Sequence, residues 1–436
     1  MYTLSNYRFV NWARNVRSRP HTYFLPGNTD DVQAIVKRAV AEGRKVRVVG
    51  AGHSWSAVAA TDDFMVSLDK LNSIAHLDKE TMQVTVQGGI RLKHLHRLLY
   101  PTGLAMQNIG SISEQSIAGA ISTGTHGTGL DFGILASQVV ALKLVNGVGE
   151  LVELKAGDDD FTAAAVSLGC MGIITEVTLQ CIDLYHVEEV ATPVLFEDMA
   201  SNLLTWAKGA QHPKVWWFPH TKHAMLYSYT KVSDGIRDTF AKQYIDDGVV
   251  SKLLFRGFLS MGHISHGFRP LVNRVIGTIF LKKISRVNLN YKVLNVPMPP
   301  RHREAEYAFP LDKAPEVLNR LHTLINTQNL KMNFVLEVRF TKADDFLLSA
   351  CNGQDSCYIG FYYAGEKNWN SYLKLFEAIA MEYSARPHLG KEFTVDASYL
   401  QTIMPGIKQF DALRKTYDPH GVFENGFTQQ LFQFTS

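Results

Sequence analysis

Residues 46–56, Val-Arg-Val-Val-Gly-Ala-Gly-His-Ser-Trp-Ser, run a mostly apolar strand straight into a glycine turn that presents one histidine, His53. Gly50 and Gly52 limit what such a segment can build, because a backbone without Cβ atoms bends sharply and can bring its N–H groups against a phosphate. Val49, Gly50, Ala51, Gly52 and Ser54 are therefore the first candidate cofactor contacts. A second small-residue segment, residues 110–129, repeats the demand for close main-chain approach. It nominates Gly110, Ser111, Ser113, Ser116, Gly119, Ser122, Gly124, Thr125, His126 and Gly127. Two such loops can hold the two ends of one dinucleotide. Neither follows the common fingerprints: Gly50-Ala51-Gly52 continues to Trp55 where G-x-G-x-x-G needs glycine, and no G-x-x-x-x-G-K-[ST] occurs. A Rossmann-type NAD enzyme is disfavoured.

Both loops resemble those of the vanillyl-alcohol-oxidase-type flavoproteins and, within them, the sugar-1,4-lactone oxidases. Ordered matches at residues 61–65, 133–142, 168–174, 217–221, 337–341 and 355–358 extend the resemblance over nearly the whole chain. The resemblance implies an α+β, two-domain FAD-binding fold of the vanillyl-alcohol-oxidase/PCMH type with a substrate (cap) domain. It implies FAD linked covalently through a ring nitrogen of His53 to the flavin 8α-methyl, and it adds Gly172, Ile174 and Lys391 to the cofactor contacts. The implied reaction is hydride transfer to the flavin from a carbinol of an aldonolactone, foremost L-gulono-1,4-lactone. The product would be the 2-keto lactone, a tautomer of ascorbate, with oxygen reduced to hydrogen peroxide. Alditols, D-arabinono-1,4-lactone and L-galactono-1,4-lactone are the alternative substrates, and a dehydrogenase is the alternative to an oxidase. A flavin-binding scaffold without turnover is the reading from another class.

Catalytic candidates follow from alternation and from the resemblance together. Glu337 and Arg339 are two apart within the apolar run 334–340, so as a strand they share one face. They form either a structural ion pair between domains or part of a site. The resemblance favours the site, since a Glu-x-Arg pair lines the sugar pocket of the related oxidases and Lys391 follows in 386–391. Arg339 and Lys391 would stabilise charge developing on the flavin and on the alkoxide-like oxygen, while Glu337 orients Arg339 and substrate hydroxyls. Ser116 stands where related alditol oxidases place a substrate-facing hydroxyl, or else it caps the next turn. Ala118 and Gly119 border the expected oxygen path. His126 is an alternative attachment point, a hydrogen-bond partner near the cofactor, or a structural histidine. The family's frequent His-Trp-Gly-Lys reads His388-Leu389-Gly390-Lys391 here, which keeps the cation and removes an aromatic wall at 389. Glu304 and Glu306 also share a face, either near the pocket or along a solvated strand edge.

Composition limits the rest. A chain of 436 residues that is 46% hydrophobic can bury large cores, and its 44 Lys plus Arg against 41 Asp plus Glu give no basic stripe for nucleic acid. The partners expected are a small lactone or polyol and molecular oxygen. Four cysteines without a C-x-x-C pair predict buried reduced thiols, no metal, and a cytoplasmic setting. The first residues lack the basic start and apolar stretch of a signal peptide. Residues 249–284 are rich in apolar side chains but interrupted by charge, which predicts core helices and at most peripheral membrane contact. The domain division expected is 1–181 for FAD, 182–404 for substrate, and 405–436 returning to the FAD domain. Expected elements include helices over about 31–42, capped by Thr29 or Asp30, and over 91–100, 314–327 and 369–383, with strands at 45–49, 83–86, 139–145, 150–154 and 173–181.

Overall fold

The computed structural model describes residues 1–233, 235, 274, 281–296, 301–365 and 367–434. Nearly all of the 249–284 segment lies outside those residues. Among the described residues no helix is long and apolar enough to cross a membrane.

The first part carries two main sheets and two small two-stranded ones. Thr22–Leu25, Phe64–Ser67 and Val46–Val49 pair in parallel, with Tyr2–Leu4 added antiparallel at one edge. Phe64–Ser67 is buried throughout, as a parallel strand covered on both faces should be. The Thr29–Glu42 helix lays Val32, Ile35, Val36 and Ala39 into this core. Its cap is Asn28, whose side chain accepts from the Asp31 N–H at 2.8 Å, in place of the expected Thr29 or Asp30. Gly43 ends it at φ 62°, the left-handed conformation that favours glycine.

The second sheet is antiparallel, in the order Leu151–Lys155, Val139–Val145, Ile173–Gln180, Gln83–Gln87, Ile74–Asp78. Val145 pairs with Leu151 across the expected hairpin. Within Ile173–Gln180, Val177 and Leu179 are buried while Glu176, Thr178 and Gln180 are half-buried, in step with alternation.

From His186 onward a single eight-stranded sheet dominates, ordered Ile284–Leu289, His186–Leu195, His223–Val232, Lys214–Trp217, Leu336–Thr341, Ser356–Tyr363, Arg303–Pro310, Arg386–Pro387. Its central strands sort their residues by parity. Val215, Trp217, Leu336, Val338, Phe340, Ile359, Phe361, Tyr307 and Phe309 pack with the helices Phe196–Gly209, Ala314–Thr327 and Trp369–Glu382 in one core. The residues between them, Lys214, Trp216, Glu337, Arg339, Tyr358, Tyr362, Glu304 and Glu306, therefore face the other way. That second face meets the first part of the chain: Gly129 N–H donates to Phe340 O at 2.8 Å and the Arg339 guanidinium to His126 O at 3.3 Å.

The last residues run back against the first sheets. Val46 N–H donates to Val422 O at 2.7 Å, and the Asn425 side chain donates to Ala57 O at 2.9 Å and Ala60 O at 2.8 Å. Arg47 ties three segments together. Buried to 3% exposure, it donates to Val58 O at 2.7 Å, Leu168 O at 2.6 Å and Phe423 O at 2.5 Å. Replacing it removes the guanidinium donor from Leu168 O and Phe423 O, each loss costing about 1–3 kcal/mol, while Val58 O keeps a longer bond from the Asn425 side chain at 3.3 Å. Arg47→Met is expected to lower unfolding stability by about 3 kcal/mol or more in a urea titration. A loss below about 1 kcal/mol would show that the three segments hold together without it.

Candidate functional site

The histidine loop and the second glycine-rich segment close on one cleft of about 970 Å³, counting its open mouth. Val49, Gly50, Ala51, Gly52, His53, Ser54, Ser116, Gly119, Ser122, Gly172 and Ile174 all line it. A Cβ on Gly50 would stand 2.4 Å from Ser116 Oγ, so a side chain there would force the serine hydroxyl to turn away. Gly52 takes φ 67°, which places the turn where a β-carbon would be strained. Ser116 heads the short Ile117–Ser122 helix without a side-chain capping bond, so its hydroxyl is not spent as a cap.

Not every candidate falls on the lining. Gly110 O accepts from the Asn295 side chain at 2.8 Å and Ser111 O from Val296 N–H at 2.7 Å, while Ser113 O accepts from Lys93 N–H at 2.9 Å. Gly124, Thr125, His126, Gly127 and Lys391 also stand outside it. Gly88 and Gly89 were missed. A Cβ at Gly88 would meet Ile174 O at 2.3 Å and one at Gly89 would meet Leu68 O at 1.8 Å, and the adjacent glycines after the Gln83–Gln87 strand were the signal.

His53 lines the cleft. Its Nδ1 is buried with no hydrogen-bond partner, and burial pushes its pKa down to about 4, leaving a neutral ring with an available lone pair at pH 7. A buried orphan nitrogen and a glycine-lined cleft fit a bound FAD.

The charged face of the large sheet is buried and paired. Glu337 accepts from Trp216 Nε1 at 2.9 Å on one oxygen and from the Tyr362 hydroxyl at 2.9 Å on the other. Arg339 Nε lies 3.3 Å from Glu337, and its Nη2 donates to Glu306 Oε1 at 2.5 Å. Glu306 belongs to a strand two away from Arg339, and the strand between them presents Gly360 opposite both Glu337 and Glu306. The space a side chain at Gly360 would take is filled by the Tyr362 ring, 2.9 Å from a Cβ built there. Lys214 Nζ stands 3.9 Å from Glu337 on the far side, facing the rings of Trp216 and Tyr227 at 4.9 Å each.

Burial alone would raise both carboxyl pKa values, but Arg339 outweighs it. Together with Lys214 it holds Glu337 below the ordinary carboxylate value, and together with His126 it holds Glu306 well below it. The same pair of carboxylates keeps Arg339 above its usual value despite burial. Glu304 and Glu306 are 2% and 1% exposed, so the solvated-edge reading of these residues is overturned. Tertiary cover, invisible in a strand pattern, decides it.

Lys391 completes the site. Its Nζ sits 2.6 Å from Glu304 Oε1 and 4.1 Å from the centre of the Trp55 ring. Leu389 is buried in the core at 3% exposure, and the aromatic neighbour of the cation comes from the histidine loop instead. His126 stacks on Tyr358 with centroids 3.7 Å apart, beside His388, whose pKa burial pushes down to about 3. Among the described residues His126, Glu306 and His388 form the one grouping with metal-ligand types, their ligand atoms within 4.8 Å of each other. Arg339 holds one oxygen of Glu306, and a metal ion there would face a guanidinium at short range. The ion pair here is Glu306 with Arg339, and burial lowers the pKa of both neighbouring imidazoles.

Three comparisons bear on this geometry. A sequence-family model for D-arabinono-1,4-lactone oxidase matches residues 177–431, and one for an FAD binding domain matches residues 20–155. The chain is 32% identical to L-gulonolactone oxidase of Bos taurus over 98% of both chains. It is also 32% identical to L-gulono-1,4-lactone dehydrogenase of Mycobacterium tuberculosis, over 97% of this chain and 98% of the relative. In fold it superposes on a solvent-stable cholesterol oxidase with TM-score 0.83 at 19% identity, covering 98% of this chain and 97% of the other, which places it in the expected α+β flavoenzyme architecture. The chain that holds this glycine-lined cleft against a paired charged sheet belongs to the D-arabinono-1,4-lactone oxidase family and is an FAD-dependent oxidoreductase.

Proposed function

We propose that this protein oxidises a carbinol of a sugar-1,4-lactone, with L-gulono-1,4-lactone as the preferred substrate, using FAD held covalently through His53 and molecular oxygen as acceptor. The products are the 2-keto lactone and hydrogen peroxide. The observation that carries the reading is the placement of Lys391: its ammonium rests on Trp55, two residues from His53, at the seam between the cofactor cleft and the charged sheet. D-Arabinono-1,4-lactone is the second substrate to weigh, because the matching family model bears that name. Residues 1–181 would bind FAD, 182–404 the substrate, and 405–436 would close back onto the FAD domain, a division supported by the Val46–Val422 and Arg47–Phe423 bonds. Four buried free cysteines support a reducing, cytoplasmic setting, with any membrane contact peripheral.

Bound FAD supplies the two-electron acceptor that side chains cannot. The chain's own residues do the rest. Glu337, held ionised with both oxygens accepting donors, suits substrate orientation better than proton abstraction. Arg339 is a fixed positive charge, gripped by Glu306 and Glu337. It would stabilise negative charge without reorganising. Lys391 would stabilise the alkoxide-like oxygen as the hydroxyl proton leaves, and Ser116 would hydrogen-bond beside the cofactor.

Two measurements test this. Acid precipitation of the purified protein is expected to leave the yellow colour on the pellet, with the flavin mass on the His53 peptide. His53→Ala should release the flavin on precipitation and lower turnover by about tenfold or more. Colour that washes off the unmodified protein would refute covalent attachment. Anaerobic mixing with L-gulono-1,4-lactone should bleach the flavin faster than D-arabinono-1,4-lactone or xylitol, and air should restore the colour with release of peroxide. Bleaching without recolouring would make it a dehydrogenase, and bleaching by xylitol alone would move it to the alditol oxidases.

A further inference from the structure

Lys391 has an aromatic support that is itself locked. Trp55 is 6% exposed, its backbone N–H donates to Gly390 O at 2.8 Å, and its Nε1 donates to His302 O at 3.0 Å. The Trp12 ring meets it edge-on, centroids 5.6 Å apart and planes at 69°. Held at both ends, the indole cannot turn. Trp12 is fastened to the same loop, donating its N–H to Gly52 O at 2.8 Å, while Asn11 donates to Ser54 O at 2.9 Å. The platform thus shares its loop with His53.

A lysine ammonium is a compact, strongly hydrated charge on a four-carbon stem and ordinarily swings toward water. Glu304 gives it one contact, which fixes a distance but not a direction. An indole face adds a second surface, attractive only when the cation sits over the ring. Backbone bonding reinforces the pairing, since the same Gly390 whose carbonyl receives Trp55 precedes Lys391.

We propose that Trp55 is a positioning residue for Lys391: its indole face and Glu304 together hold the ammonium at one place on the cofactor side of the sheet. Leu389, buried beneath, has no part in this. The histidine loop would then fix the cofactor and the substrate-facing cation relative to one another in a single element. The proposal rests on the reading that Lys391 acts on the lactone, but it is testable apart from it.

The first test reads position without turnover. Trace acetylation of the holoprotein with acetic anhydride, followed by peptide mass spectrometry, reports how accessible Lys391 is relative to the other lysines. Trp55→Leu should raise Lys391 labelling by about fivefold or more, and Trp55→Phe should return most of the protection. Equal labelling in all three proteins overturns the proposal even if no lactone is ever turned over. The second test is a double-mutant cycle on kcat/KM, with FAD content and unfolding midpoint recorded for each variant. Trp55→Leu should cost about tenfold in the native background and less than about twofold when Lys391 is already Met. The same cost in both backgrounds would mean a merely structural tryptophan. Should Trp55→Leu fail to hold FAD, the cycle is run with Trp55→Phe, where a smaller loss of about threefold must again vanish with Lys391→Met, and persistence of that loss overturns the proposal.

Discussion

The arrangement depends on one constraint: the large sheet buries both of its faces, and only one of them is apolar. Helices cover the first with hydrophobic side chains. The second carries Glu304, Glu306, Glu337, Arg339 and Lys214, none more than 7% exposed. An unpaired charge at such depth would cost several kcal/mol, so each must find an opposite charge and donors nearby. Arg339 serves two carboxylates, Lys391 takes Glu304, and Lys214 flanks Glu337. A face built like this contributes little net stability for its size. What it supplies is a set of charges that stay put when a reaction beside them develops charge of its own.

The first part of the chain answers that constraint from the other side. Burial pushes His53 down to about 4 in the cleft and His388 down to about 3 on the sheet side, so the fixed cations facing that side are Arg339 and Lys391 rather than these imidazoles, while Arg47 lines the cleft itself. Arg47 holds the histidine loop, the Leu168 turn and the C-terminal turn in register with three carbonyl bonds. Those three segments are thereby set against one another by one guanidinium, which lines the cleft.

Much of this was legible in the sequence because it is local. The two-residue spacing of Glu337 and Arg339 requires a common face, Gly50 and Gly52 announce a close backbone approach, and the Ala314–Thr327 helix follows from its own periodicity. What was not legible is nonlocal. Nothing near Glu304 and Glu306 says that another part of the fold covers them. The meeting of Glu306 with Arg339 depends on the register of three strands. Lys214 meets Tyr227 only through the pairing of two strands, and the support of Lys391 by Trp55 spans 336 positions of chain. The Asn28 cap, by contrast, was a local signal read one residue late.

The central claim is that the lactone lies between the His53 cleft and the charged face of the sheet. A crystal structure of the holoprotein with L-gulono-1,4-lactone, formed without oxygen, tests it most directly. The account predicts flavin joined to His53, with lactone oxygens within hydrogen-bond distance of Glu337, Lys391 and Ser116 and the Arg339 guanidinium still on Glu306. A lactone bound away from that face, or a sheet whose carboxylates release Arg339 when substrate enters, would contradict it.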